Sequence, residues 1–250
     1  MKLLSDLIRP APILDIADYD DYWAVRAHQL SSSERIRFID ARVSSWSRHV
    51  RRGDSLVEIG CGTGELLEKI RQQLTDHAQG LEISAKAVEA CRMKGLTVVE
   101  GDIGAPADPL QGATFDWVVA SEVIEHIVDA EGVVSRLLAH ARKGLIVTIP
   151  NYGFYKHRMR LLLGRFPVTY QLHPREHVRS WTHVDFLEWA GHYGWHLICA
   201  EGLVGTSALQ VFRRKPALFA RCVSYVFAPL TDQACAGESP TPSMPSEETS

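Results

Sequence analysis

Apolar positions along this chain follow two alternating rhythms. Short, mainly apolar runs stand at Leu56–Ile59, Ala78–Ile83, Leu96–Glu100, Phe115–Ala120 and Gly144–Ile149, with Glu58 interrupting the first and Asp116 the fourth. Between them the apolar residues fall on one helical face: Leu66, Leu67, Ile70 and Leu74, then Ala87, Val88 and Cys91, then Val133, Val134, Leu137 and Leu138. An earlier set, Ile36, Ile39, Val43, Trp46 and Val50, recurs at steps of 3, 4, 3 and 4 and predicts a helix packed on the sheet. Such runs read as strands buried on both faces. Their alternation with helices predicts an α/β fold, a Rossmann-like doubly wound sheet. Cap signals agree. Ser31–Glu34 offers a capping box, Ser84 and Thr182 precede helices, and Gly95 and Gly194 follow them.

The rhythm stops after Pro150. Residues 151–181 are basic and aromatic and read as a cap insertion. Trp195–Ala200 and Leu209–Arg213 then predict an antiparallel pair that closes a seven-stranded sheet at its edge, the last strand running antiparallel. After Pro216, the apolar segment Ala217–Leu230 is too short for a bilayer. It reads either as an extra helix docked on the domain or as a weak membrane-surface contact. Thr231–Ser250 is rich in Pro, Ser, Thr and Glu and is expected to be disordered. The expected organisation is a lid and helix over 1–50 and a main domain over 51–216, with its cap at about 151–181. An extra helix over 217–230 and a tail over 231–250 follow.

Composition narrows the partners. At 250 residues, 46% hydrophobic and 23% charged, the chain suits one soluble α/β domain with additions. A net charge of −3 gives no electrostatic footprint for nucleic acid or an anionic membrane. Cys61, Cys91, Cys199, Cys222 and Cys235 are scattered without a C-x-x-C, so neither a zinc site nor a disulfide framework is expected, which favours a reducing cytoplasm. No apolar run is long enough for a transmembrane helix, and Met1–Arg9 is too short and interrupted for a signal peptide.

The candidate chemistry lies behind the first strand. Leu56–Leu67 reads L-V-E-I-G-C-G-T-G-E-L-L, a strand, a glycine turn and the start of a helix. Gly60, Gly62 and Gly64 let a ligand approach bare backbone. A dinucleotide fingerprint would need glycine at position 65, where Glu65 stands, and a carboxylate there repels a pyrophosphate. It tolerates a ligand with no phosphate and a positive charge. Glu82 follows Glu58 by 24 positions (82 − 58), at the end of the second strand. In βαβ nucleotide sites this is where a ribose diol is gripped, and a carboxylate accepts two hydroxyl hydrogen bonds at once. Asp102 alone reads as a turn residue. It gains weight as the third acid at a third successive strand end, because such ends converge on one crevice.

E-x-G-x-G-x-G over Glu58–Gly64 resembles motif I of the class I S-adenosylmethionine (SAM) methyltransferases, and residues from about 55 to 213 resemble that class throughout. The resemblance implies SAM as cofactor. Gly60, Cys61, Gly62 and Gly64 would hold its methionine and ribose parts, with Glu58 near its amino group and Glu82 and Ile83 at the ribose. In Gly101-Asp102-Ile103, Asp102 would accept from the adenine amino group while Ile103 lies along the ring. After Ser121, the sequence E-V-I-E-H-I over Glu122–Ile127 resembles the post-strand motif of small-molecule methyltransferases, which puts Ser121 and Glu122 beside the cofactor. Within the class, G-L-E-I, R-M-K-G-L-T-V-V-E-G-D, I-V-T-I-P-N-Y-G-F-Y-K-H-R-M-R-L-L-L-G-R-F-P-V-T and H-V-R-S-W-T-H-V-D-F resemble the MetW family. That family is linked to methionine biosynthesis and often acts beside homoserine O-acetyltransferase.

The implied activity is methyl transfer to a small-molecule acceptor, on a hydroxyl or carboxylate oxygen. His126 is the first candidate base, sharing a face with Glu122 on a helix expected to begin there; its alternative is a helix-surface or capping histidine. Tyr152, Tyr155, Arg158, His173, Arg175 and His177 give the cap a chemistry suited to an anionic acceptor, or else a solvated basic face over a dimer contact. Tyr22, Trp23 and Arg26 resemble a Y-W-x-x-R segment that closes over the cofactor and reaches a carboxylate; they also fit an anchored surface helix. No paired-acid metal signature stands in the sequence, so metal independence is expected. The missing N-P-P-Y-like motif argues with the net charge against nucleic-acid methylation. The competing reading is a non-catalytic SAM-binding partner of an acyltransferase in methionine biosynthesis.

Overall fold

A computed structural model describes residues 7, 8, 10, 32–169, 176–205 and 210–230. Helix α1 (Ser32–Trp46) leads into β1 (Leu56–Ile59), α2 (Glu65–Gln73), β2 (Ala78–Glu82), α3 (Ala85–Met93) and β3 (Val98–Glu100). The second half holds β4 (Phe115–Ser121), a 3-10 turn at Ile124–His126, α4 (Ala130–His140) and β5 (Ala141–Pro150). Helix α5 (Tyr155–Leu162) begins the cap, and α6 (His183–His192) returns to the sheet. Strand β6 (Leu197–Gly205), the short helices α7 (Val211–Arg214) and α8 (Pro216–Phe219), and β7 (Ala220–Phe227) complete the order.

The seven strands lie in the order β3-β2-β1-β4-β5-β7-β6. Strands β1 to β5 pair in parallel, and β7 runs antiparallel to both neighbours. Chain order reverses between β1 and β4, so the carboxyl ends of these two strands border the crevice where ligands bind in such sheets. Val43 and Trp46 of α1, Leu67 and Ile70 of α2, and Val88 and Cys91 of α3 cover one face. Val133, Val134, Leu137 and Leu138 of α4, with Phe186 and Ala190 of α6, cover the other. Ser84 caps α3 by accepting from the Ala87 N–H, and Thr182 and Asp185 form a capping box on α6.

Three expectations are corrected. The extra helix expected over 217–230 is for the most part strand β7, inserted between β5 and β6. With cover on both faces, Ala220–Phe227 carries no polar alternation, and an apolar run of that length does not distinguish strand from helix. The strand expected at Leu209–Arg213 is instead helical over Val211–Arg214 within the described residues. Ile36, expected on the buried face of α1, is 55% exposed, and burial begins further along at Val43 and Trp46. The tail over 231–250 lies outside the described residues.

Candidate functional site

The glycine turn closes the carboxyl end of β1. Gly60, Gly62 and Gly64 all have positive φ, at 65°, 54° and 80°, where a Cβ is disfavoured. A Cβ on Gly64 would also collide with Leu96 and Cys91, and one on Gly60 would stand 2.9 Å from a Val123 methyl. The turn is stitched to β2: the N–H groups of Gly60 and Cys61 donate to the Leu81 carbonyl. Cys61 is buried, and its sulfur packs where a Cβ on Gly80 would have to go. Its side chain supports the turn from beneath, and its thiol is pushed up chiefly by its interaction with Cys91 and by burial.

Glu82 sits at the same turn. Its carboxylate accepts from the Gly62 N–H at 2.8 Å and from the Ser84 N–H at 2.9 Å. One lone pair on each oxygen thus braces the loop, and one on each is left for a ligand hydroxyl. Glu58, one strand over, is 3% exposed, and its Oε2 has no hydrogen-bond partner among the described residues. Burial pushes its carboxyl well above the usual range, Arg42 opposes that, and Cys91 and Glu82 add to it. An orphaned buried carboxylate oxygen beside a glycine turn fits a ligand that carries a positive charge. By that observation, these residues fit SAM.

Asp102 adopts the turn role open to it, accepting from the Gly104 N–H at 2.7 Å, and is itself exposed. Ile103 points into the core beneath it, whereas Ile83 is 43% exposed beside Glu82. The exposed apolar face available to a flat ring is therefore Ile83.

Across the crevice, β4 ends in Ser121, whose hydroxyl lies 2.8 Å from that of Thr148 on β5. Glu122 follows in the left-handed region, with φ at 57°. A non-glycine residue held there at a strand end marks a site of function or strain. Its carboxylate accepts from the Cys222 thiol at 3.1 Å and stands 3.6 Å from the Arg42 guanidinium. Arg42 thus reaches from α1 to the crevice and influences both Glu58 and Glu122. It sits on a mixed polar stretch of a helix, with no motif in the sequence to mark it.

The helix expected to begin near Glu122 is not formed; only the 3-10 turn Ile124–His126 follows. Glu122 therefore does not back His126. Glu125 takes that place, with Oε1 4.0 Å from His126 Nε2. Glu125 is 1% exposed, and neither of its carboxylate oxygens has a hydrogen-bond partner among the described residues. Burial and the nearby Glu122 push its carboxyl well above the usual range. The Glu125 carbonyl accepts from the N–H groups of Val178 and Arg179, and this pairing brings His177 over the turn. The His126 and His177 rings meet edge to face with centroids 4.8 Å apart. His177 is held neutral, its pKa pushed down to about 3 by burial and by His126.

Tyr152 joins this cluster through Thr169, whose hydroxyl donates to the tyrosine oxygen at 2.6 Å and lies 3.1 Å from His177 Nδ1. Tyr155 is instead stacked edge to face on Phe154. Arg158 spends its Nε–H on the Gly153 carbonyl at 2.7 Å. His173 and Arg175, and Tyr22, Trp23 and Arg26, lie outside the described residues. No helix among the described residues is long and apolar enough to cross a membrane.

The model of the family described as "Methionine biosynthesis protein MetW" matches residues 41–192, more than half of the chain. The chain belongs to the MetW family. Among curated relatives, the bifunctional methionine biosynthesis protein MetXA/MetW of Rhodopirellula baltica is 27% identical over 127 residues, which are 46% of this chain and 20% of that protein. The small RNA 2'-O-methyltransferase of Arabidopsis thaliana is 30% identical over 186 residues, 61% of this chain and 19% of that protein. This MetW-family chain therefore spans about a fifth of the length of these two relatives. A SAM-dependent methyltransferase structure from Archaeoglobus fulgidus superposes with a TM-score of 0.58 at 16% identity, over 84% of this chain and 100% of that one. The fold is that of the class I SAM-dependent methyltransferases.

Proposed function

We propose that this MetW-family chain is a SAM-dependent methyltransferase acting on the hydroxyl or carboxylate oxygen of a small, anionic acceptor. The observation that carries the reading is the crevice at the reversal point. A glycine turn, the buried Glu58 and the braced Glu82 stand at the carboxyl ends of β1 and β2, and His126 and His177 meet just beyond the end of β4.

SAM supplies a methyl group on a sulfonium: the acceptor oxygen forms the new bond to carbon, the sulfur–carbon bond breaks, and its electron pair stays on sulfur. The chain supplies alignment and proton handling. Glu58 holds the ammonium of the methionine part, and Glu82 takes the ribose hydroxyls through its remaining lone pairs. Asp102 takes the adenine amino group, with Ile83 beside the ring. Ser121 and Glu122 line the methyl-donor side, and Arg42 is available for the methionine carboxylate. His126 receives the proton of a hydroxyl acceptor, and the cap, with Tyr152, Tyr155, Arg158, His173, Arg175 and His177, holds the acceptor's negative charge. Tyr22, Trp23 and Arg26 close over the site.

A second reading, a non-catalytic SAM-binding partner of an acyltransferase, draws support from the joint MetXA/MetW naming of the bacterial relative. The RNA methyltransferase among the relatives makes nucleic acid the third outcome to measure. Methyl-labelled SAM, incubated with the protein and separated small-molecule, RNA and protein fractions of an extract, distinguishes the three. Label in the small-molecule fraction supports the proposal. Label in RNA alone, or bound SAM with no transfer to any fraction, overturns it. In single-turnover reactions His126→Ala should keep SAM affinity and slow transfer by roughly 10²–10⁴-fold. An unchanged rate across the pH range rules out proton handling by His126.

A further inference from the structure

We infer that Glu125, His126 and His177 form a binding site for a divalent first-row transition ion on the acceptor side of the crevice. The inference deepens the proposed methyl transfer and rests on it only for the ion's role. One ligand atom from each of the three residues lies within 4.8 Å of the other two. Bonds of about 2.0–2.2 Å to a shared ion need only a modest closing of the side chains from that spacing.

Three features show a site and not a chance cluster. First, the Glu125 carboxylate is 1% exposed and both its oxygens lack hydrogen-bond partners among the described residues. A buried carboxyl is hydrogen-bonded, paired with charge, held protonated or bound to metal, and Oε1 of this one stands 4.0 Å from His126 Nε2, a spacing that a shared ion would bridge. Second, the backbone presets the geometry. The Glu125 carbonyl takes the N–H groups of Val178 and Arg179, which fixes the adjoining His177 over residues 125 and 126. Third, the second shell sets the tautomer. The Thr169 hydroxyl gives its proton to Tyr152, so it accepts from His177 Nδ1–H and leaves Nε2 with a bare lone pair. An imidazole whose other nitrogen is hydrogen-bonded in this way is oriented as a metal ligand.

Two imidazoles and one carboxylate suit Mn2+, Co2+, Fe2+ or Zn2+ better than calcium, which takes an all-oxygen shell. Three protein ligands leave further coordination positions for an acceptor oxygen. An ion there lowers the pKa of a bound hydroxyl, so its proton leaves to solvent while the oxygen's electron pair attacks the methyl carbon. The ion is neither oxidised nor consumed. His126 then acts as a ligand in place of its role as lone base, and the expected metal independence is replaced.

The test uses full-length protein treated with EDTA and then titrated with MnCl2, followed by calorimetry and by electron paramagnetic resonance. One Mn2+ per chain is expected. Glu125→Gln and His177→Ala should each weaken it more than about a hundred-fold, with SAM affinity retained. Glu125→Gln keeps the side-chain volume and puts no charge at the buried position, so the variant is expected to fold. Absence of saturable Mn2+ binding up to millimolar concentration, or equal binding by both variants, overturns the site. Labelled-methyl transfer that runs undiminished with the metal-free protein overturns the ion's role in the reaction and leaves methyl transfer standing. Site-specific Mn2+ binding by a chain that does not bind SAM upholds the site and overturns the proposed function.

Discussion

Glu58 carries a cost that pH should reveal. Its carboxyl is raised from an ordinary value of 4.5 by burial, with Arg42 opposing and Cys91 and Glu82 reinforcing. The folded state therefore holds this proton to higher pH than the unfolded chain does. Its contribution to stability is full below about pH 4.5 and is lost as pH rises through the raised folded value. Glu58→Gln, neutral at every pH, should melt at nearly the wild-type temperature at pH 4 and increasingly above it towards pH 8. A melting difference independent of pH contradicts this assignment. The glycine turn and Glu82 were legible in the sequence because their signal is local, a spacing within one βαβ unit. Arg42 and the pairing of Glu125 with His177 were not, because elements far apart in sequence create them. The fixed helical face expected for Glu122 and His126 fails at one residue, the left-handed Glu122.

At the scale of elements, Asn151 ties the end of β5 to the last third of the chain. Its amide donates to the carbonyls of Pro216, Ala217 and Ala220, and its oxygen accepts from the N–H groups of Gly153 and His183. The side chain is 1% exposed, so water does not replace these bonds when it is lost. Asn151→Ala should cost about 3 kcal/mol or more in urea unfolding, since several buried groups are left unpaired. A loss below about 1 kcal/mol contradicts the clamp. The parallel strands and their helices were readable because two periods alternate cleanly up to Pro150. Strand β7 was not, because insertion between β5 and β6 erases its polar alternation.

For the whole molecule, β7 makes the fold depend on its final described element. Truncation after Phe219 removes it, exposes the edges of β5 and β6, and should leave no cooperative melting transition. Truncation after Leu230 removes only the polar tail, which has few apolar residues to bury, and should leave melting temperature and SAM affinity unchanged. A folded first truncation, or a destabilised second one, contradicts this division. The β1–β4 crevice is proposed as the SAM site. Calorimetric titration of the full chain with SAM tests it most directly. One SAM per chain should bind, and Glu82→Ala, folded by circular dichroism, should lose about 2–4 kcal/mol of binding energy with its ribose and turn contacts. Absence of binding to the folded wild-type chain up to millimolar SAM, or equal affinity in Glu82→Ala, contradicts the account.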